Sequence, residues 1–148
     1  MRIVLAITFL TIASLVAGAQ DTQEATVYID HQKIAAFAAN GKVNTLIDRP
    51  GFMVRVSTHG SAQPELHVKQ THVLTILDGE ATFVSGGTLV GFRKNKDGVI
   101  VGGTDLQGGQ EYHLKKGDVI MVLAGIPHWW KEVPTKTVTF YNVFVNTP

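Results

Sequence analysis

Residues 115–130, KKGDVIMVLAGIPHWW, contain a short apolar and β-branched run between two glycines, followed by a proline and a histidine. The run DVIMVLA predicts a strand, and Gly125 with Pro127 predicts the turn that ends it. His128 and Trp130 are two residues apart, so in an extended chain they project from the same face. Burial of the imidazole of His128 in so apolar a setting requires a compensating partner from elsewhere in the chain.

Residues 65–80, ELHVKQTHVLTILDGE, supply such partners. Glu65 and His67 are two apart and share a face if this part of the chain is extended. His72 shares its face with two apolar residues of the same run. The two apolar residues are Leu74 and Ile76. Together with Trp130 they are predicted to line a substrate pocket.

The side chains of these two stretches form one candidate metal site inside a barrel. The predicted ligands are Glu65, His67, His72 and His128. One carboxylate and three neutral imidazoles suit a divalent transition metal: Mn, Fe, Ni, Cu or Zn. Four protein ligands leave positions open for water or substrate on a metal that prefers five or six. A lone histidine in a strand is more often an ordinary hydrogen-bonded residue, but burying four ionisable groups together needs a cation to offset the cost.

The rest of the chain is a series of short strand-like runs that follow a single helix. Asp30 is a plausible helix N-cap, and residues 40–41, Asn-Gly, are a stop signal. The strand-like runs begin at residues 44, 52, 71, 80, 88, 99, 110, 118 and 138. Residues 78–79, Asp-Gly, predict a hairpin, and residues 86–87 and 97–98 predict further turns. The pattern predicts an all-β jelly-roll barrel with one short N-terminal helix.

The N-terminus has the composition of a secretory signal peptide. Arg2 precedes an apolar run of fifteen residues, and residues 17–19, Ala-Gly-Ala, match a cleavage pattern. The run is shorter than the roughly 20 residues that a membrane span prefers. We therefore expect a signal peptide over residues 1–19, a single domain over residues 20–148, no membrane association after cleavage, and a periplasmic or secreted protein.

Charge and cysteine content exclude several classes of function. Lys and Arg number 13 against 12 Asp and Glu, and the predicted signal peptide carries the one excess positive charge, Arg2. No basic run with interleaved aromatic residues is present, which argues against nucleic-acid binding. The chain contains no cysteine, so thiolate chemistry and disulfides are excluded and the core alone must stabilise the fold.

From about Val54 to Val145 the sequence resembles a small single-domain cupin of the RmlC-like jelly-roll type. Gly117, Gly125 and His128 match the second cupin motif, in which glycine is followed by P-x-G-x-x-H and then asparagine. Leu123 stands at the position of its proline, and Glu132 stands at the position of its asparagine. The resemblance implies the cupin double-stranded β-helix, one divalent transition metal, and a homodimer.

The first cupin motif, which contains H-x-H, a glutamate and a closing glycine, also aligns with this chain. Gly79 matches the closing glycine and His67 the second histidine. Glu65 stands where the first histidine is usual, and His72 stands where the glutamate is usual. The resemblance thus implies the usual three-histidine, one-glutamate ligand set with two members exchanged in place.

Three kinds of function remain open at this point. The first is a metal-dependent enzyme of dioxygenase, lyase or isomerase type that acts on a small molecule outside the cytoplasm, with Glu132 as a candidate general base. The second is a non-catalytic small-molecule or sugar-binding protein, and the third is an interaction or storage module with a vestigial metal site. A homodimer contact is predicted at residues 22–30, because exposed sheet edges must be paired or covered.

Other polar residues carry simpler predictions. Arg55 lies in an alternating strand and is predicted to face solvent, the alternative being an anchor for an anionic substrate. His59 and His113 are predicted at the surface or at strand ends, and His31 on the polar face of the helix.

Overall fold

The computed structural model describes residues 26–96 and 100–147. The predicted signal peptide over residues 1–19 and the turn predicted at residues 97–98 lie outside these described residues. Within the described ranges, no helix is long and apolar enough to cross a membrane.

The one helix of the described residues, α1, spans His31–Ala39. Its N-cap is Asp30, whose side chain accepts a hydrogen bond of 2.6 Å from the backbone N–H of Gln32. This bond satisfies one of the backbone donors that a helix start leaves free. The helix ends at Ala39 with Asn40 as its C-cap, and Gly41 follows with a φ of +66°. Both predicted helix boundaries are confirmed.

Ten strands follow in the described residues. They are β1 Asn44–Arg49, β2 Phe52–His59, β3 Gln70–Asp78, β4 Glu80–Ser85, β5 Thr88–Val90, β6 Asp105–Gln107, β7 Gln110–Lys115, β8 Val119–Val122, β9 His128–Glu132 and β10 Val138–Asn146. A five-stranded sheet has the order β1-β2-β10-β3-β8, a three-stranded sheet has the order β7-β4-β9, and β5 pairs with β6. All of these pairs are antiparallel, and the all-β prediction with one short helix is confirmed.

The main core lies between the five-stranded and the three-stranded sheets. Phe140 of β10 stacks on Trp130 of β9 with 4.7 Å between ring centroids, and Trp130 meets Phe83 of β4 edge-on at 4.8 Å. Phe83 is fully buried, as are Leu74 and Ile76 of β3. These contacts pack the two sheets against each other, and Leu74, Trp130 and Phe140 also line the cavity of the candidate site.

A second, smaller core lies on the opposite face of the three-stranded sheet. Val84 follows Phe83 in β4 and packs there with two leucines of the β5–β6 pair, Leu89 and Leu106. Trp129 packs against this cluster, whereas its neighbour Trp130 belongs to the main core. Successive residues of β4 and β9 thus serve two cores in turn, as the period of two in a strand requires.

The Asp78–Gly79 turn is not the hairpin that the sequence predicted. It joins β3 of the five-stranded sheet to β4 of the three-stranded sheet, and these two strands do not pair with each other. Gly79 has a φ of +82°, and a Cβ placed on it would lie 2.4 Å from the backbone oxygen of Thr137. The glycine is therefore required at a corner where the chain changes sheets.

The run predicted as a strand at residues 99–104 is also not a strand in its described part. Only Ile100 makes a bridge there, to Lys94, and Gly102 and Gly103 follow it. The strand in this region, β6, starts later at Asp105. Glycines lack the side chains that pack on a sheet surface, which explains the displacement.

Candidate metal centre

Three histidines from separate chain segments meet at the open end of the barrel. His72 lies in β3, His128 begins β9, and His67 lies in the loop between β2 and β3. The ring centroids of His67 and His72 are 4.5 Å apart. The ring centroid of His128 lies 5.5 Å from that of His67 and 5.2 Å from that of His72. One ligand nitrogen from each ring lies within 4.8 Å of the other two.

The loop that carries Glu65 and His67 is held in place by backbone hydrogen bonds. Glu65 and His128 form an isolated antiparallel bridge, with N–H···O distances of 2.8 Å and 2.9 Å. The carbonyl of His67 accepts a bond of 2.9 Å from the backbone N–H of Gly125. The predicted strand geometry at residues 65–67 is thus replaced by an extended loop, but the alternation holds: Glu65 and His67 face the cavity, and Leu66 packs against the second core.

His128 is oriented by its own chain. Its side chain is 5% exposed, and its Nδ1 lies 3.2 Å from the backbone oxygen of Ile126. A carbonyl can only accept, so Nδ1 carries the hydrogen and Nε2 keeps its lone pair. Burial lowers the pKa of His128 and favours this neutral ring. A backbone acceptor on one nitrogen is the arrangement that fixes metal-binding histidines in other proteins.

His72 carries the clearest sign of a missing partner. Its side chain is 4% exposed, and its Nε2 is buried with no hydrogen-bond partner among the described residues. Burial, together with the nearby rings of His67 and His128, lowers the pKa of His72 to about 3. The ring is neutral at physiological pH, and an unpaired buried nitrogen of this kind fits a metal ligand.

Glu65 lies beside the histidine triad rather than within it. Its Oε2 accepts a hydrogen bond of 3.2 Å from Nε2 of His67, and this bond is the main cause of the lowered pKa of Glu65. The side chain of Glu65 is 50% exposed, against 34% for His67. The structure thus brings three of the four predicted ligands together and places the fourth at hydrogen-bond distance from one of them.

A cavity of about 370 Å³ opens over the triad. Besides Glu65 and the three histidines, its walls are formed by Met53, Arg55, His59, Gln70, Leu74, Trp130, Phe140, Asn142 and Phe144. Leu74 and Trp130 were predicted to line it. Ile76 does not line it, because it lies one step deeper in β3 and belongs to the main core. Glu132 is exposed at the end of β9 and lies outside the cavity wall.

Arg55 corrects a prediction, because it lines the cavity instead of facing solvent. His59 lies at the end of β2, as predicted, and its side chain also lines the cavity. His59 packs edge-on against Phe140 at 5.3 Å and tilts over Trp130 at 6.5 Å, and burial lowers its pKa. Arg55 lies over the ring of Phe144 at 5.2 Å. Residues 53, 55 and 59 share one face of β2, and their spacing in the sequence was the available signal that they line the cavity together. His113 and His31 are exposed, as predicted.

The chain was compared with known proteins by sequence and by structure. The cupin family model matches residues 32–148. A search of curated proteins by sequence finds no match. Among solved structures, BH2720 from Bacillus halodurans is similar with a TM-score of 0.60 at 11% identity, covering 84% of this chain and 85% of that one. TT1209 from Thermus thermophilus has a TM-score of 0.53 at 15% identity, covering 82% of this chain and 98% of that one.

A third similar structure is that of FeII HppE, with a TM-score of 0.50 at 16% identity, covering 69% of this chain and 49% of that one. At these identities the structural matches show the fold alone. The family model, in contrast, spans most of the sequence, including every residue of the histidine triad. The chain is therefore a member of the cupin family.

Proposed function

We propose that this cupin binds one divalent transition metal through His67, His72 and His128, with Glu65 as the fourth ligand, and uses it as an enzyme acting on a small molecule. The observation that carries the proposal is the buried Nε2 of His72, which has no partner among the described residues and lies in a cluster of three imidazoles. A cation offsets the desolvation of all these groups at once. The name of one similar structure specifies iron(II), which also supports a metal of this class.

The cavity supplies what such a reaction needs from the protein. A bound metal of this kind supplies Lewis-acid polarisation of a substrate oxygen or activation of water. The rings of Phe144 and Phe83 cover His72 and His128, at 4.5 Å and 5.8 Å between centroids, and limit the access of water to them. His59, kept neutral by burial, is placed in the same cavity to accept a proton. It replaces Glu132 as the candidate base.

Metal analysis of protein purified without chelators tests the proposal. We expect about one transition-metal ion per chain and its loss in His72→Ala. The matched control is His113→Ala, which removes an exposed imidazole that lies outside the cavity and should keep the metal. Protein without metal, or equal metal content in the two variants, would refute the proposal.

A non-catalytic binding function for a sugar or other small molecule is the second candidate. The cavity wall favours this function. Glu65 is its only carboxylate among the described residues, and once Glu65 acts as a metal ligand no carboxylate in that wall is left to serve as a base. Oxygen uptake and product analysis with a small-molecule library separate the two functions. Turnover that disappears in His59→Gln while the metal is retained supports the enzyme. Tight binding without turnover supports the binding protein.

We also propose that the protein is exported and forms a homodimer. Export is supported by the N-terminal sequence pattern. The dimer is supported by Tyr28, a large side chain that is 83% exposed within the predicted contact segment. Sedimentation analysis should give twice the chain mass for the mature protein and a shift toward monomer for Tyr28→Ser. A monomeric wild type would contradict the dimer.

A further inference from the structure

Two polar side chains of the cavity lie opposite each other on neighbouring strands and are both incompletely bonded. Arg55 of β2 and Asn142 of β10 are directly paired in register, and both line the cavity that holds the histidine triad. Nε of Arg55 and Oδ1 of Asn142 are buried and make no hydrogen bond within the described residues. The donor and the acceptor do not satisfy each other, so each is left for a third group.

Arg55 has no anionic partner among the described residues, although its Nε is buried. Within residues 26–96 and 100–147, no carboxylate lies within 4.0 Å of it, and the carboxylate of Glu65 is engaged by His67. Arg55 lies over the ring of Phe144 at 5.2 Å, and its Nε has no hydrogen-bond partner among the described residues. A guanidinium remains charged at all physiological pH values and binds a carboxylate with a matching pair of donors. The geometry therefore calls for an anion from outside the chain.

Asn142 defines a second requirement of the ligand. Its side chain is only 7% exposed, so that solvent does not readily satisfy its free oxygen. An amide oxygen accepts hydrogen bonds, and a hydroxyl of the ligand is the donor that would complete it. The ligand must therefore carry a hydroxyl near its negative charge.

We infer that the substrate of the proposed metal site is a small hydroxycarboxylate, with its carboxylate on Arg55 and its hydroxyl hydrogen-bonded to Asn142. This inference rests on the proposed function, because it places the ligand in the cavity over the triad. The cavity of about 370 Å³ suits a small organic acid. The apolar rings around the two polar groups strengthen their interactions with such an acid by excluding water.

Calorimetric titration of the full-length metal-loaded protein tests the inference with three probes: glycolate, acetate and glycolamide. Glycolate should bind most tightly, acetate more weakly because it lacks the hydroxyl, and glycolamide most weakly because it lacks the charge. Arg55→Gln should weaken glycolate binding at least tenfold, and Arg55→Lys, which keeps the charge, should weaken it less. Asn142→Leu should reduce glycolate affinity to that of acetate and leave acetate affinity unchanged.

The control variant is Arg93→Gln, which removes the same charge from an exposed position outside the cavity. It should bind glycolate like the wild type. The inference is overturned if Arg55→Gln and Arg93→Gln bind glycolate equally, or if glycolamide binds as tightly as glycolate. Metal content measured on the same samples keeps the two proposals separate. A wild type without metal would refute the metal site, while the comparison of the two arginine variants would still decide the anion site.

Discussion

Replacing His72 by leucine should change the free energy of unfolding in opposite directions with and without metal. In the metal-free protein, Nε2 of His72 is buried and unpaired, a condition that costs about 1–3 kcal/mol. Leucine fills a similar volume without a polar atom. The substitution also removes the edge contact of the His72 ring with Phe144 at 4.5 Å, a contact that stabilises the folded state by about 0.5–1.5 kcal/mol. The metal-free variant should therefore be more stable than the metal-free wild type by about 1 kcal/mol.

Metal should reverse this order. A ligand that binds only the folded state stabilises it by about 2.7 kcal/mol when its free concentration is a hundred times the dissociation constant. Wild type should gain this amount. His72→Leu lacks one of three ligand nitrogens, and the two that remain should give a much smaller gain. The variant should then be the less stable protein by about 1–2 kcal/mol.

Urea denaturation with a chelator, and again with excess metal, measures both differences on the same samples. His113→Leu is the control, because it removes an exposed imidazole whose one side-chain hydrogen bond to the described part of the chain is long, 3.4 Å, to Thr82. It should leave the effect of metal unchanged. The reasoning is refuted if His72→Leu is destabilised equally in both conditions, or if metal stabilises it as much as it stabilises the wild type.

Three further predictions concern pH, a glycine and the N-terminus. The pKa of His72 falls from 6.5 to about 3 on folding, so between these pH values the unfolded chain binds one more proton than the folded chain. As the pH falls below 6.5, the free energy of unfolding of the metal-free protein should therefore decrease by up to about 1.4 kcal/mol per pH unit. Urea denaturation between pH 7.5 and 4.5 measures this, and a flat profile would contradict it. Gly79→Ala should destabilise by about 1–3 kcal/mol more than Gly108→Ala, since both have positive φ but only Gly79 meets a backbone oxygen at close range; equal melting temperatures would count against this. N-terminal sequencing after expression in an exporting host should start near Gln20, and an intact Met1 would exclude cleavage.

Local patterns predicted most of the elements because each depends on a few neighbouring residues. Asp30 and Asn40 mark the ends of the helix, and the alternation in residues 52–59 defines β2 to the residue. The same kind of signal was wrong at Asp78–Gly79, because an Asp-Gly turn occurs both in hairpins and at corners. The pairing of β3 with β10 distinguishes a corner from a hairpin here. Strand β10 lies about sixty residues further along the chain. That pairing has no local sequence signal.

The candidate site shows the same division between local and distant information. The segments that carry the histidines of the triad were predictable, because imidazoles in apolar runs are unusual. The position of Arg55 was not, because the face of β2 that turns inward depends on its register with β10. A shift of one residue would turn Arg55 to the opposite face of β2 and bring Val54 or Val56 into the cavity. The sequence contains the alternation but not the choice between the two faces.

The exchange of ligand types between positions 65 and 72 follows the burial of the two positions. His72 is 4% exposed in the middle of the five-stranded sheet, whereas the side chain of Glu65 is 50% exposed in the loop. A carboxylate is charged at neutral pH and loses more solvation on burial than a neutral imidazole does. With the imidazole at the buried position, the metal-free protein can fold with His72 neutral, because the pKa of His72 falls with burial. The charge of Glu65 meanwhile stays near solvent, where His67 stabilises it by a hydrogen bond. In the proposed site, the imidazole at position 72 and the carboxylate at position 65 therefore lower the cost of folding without metal.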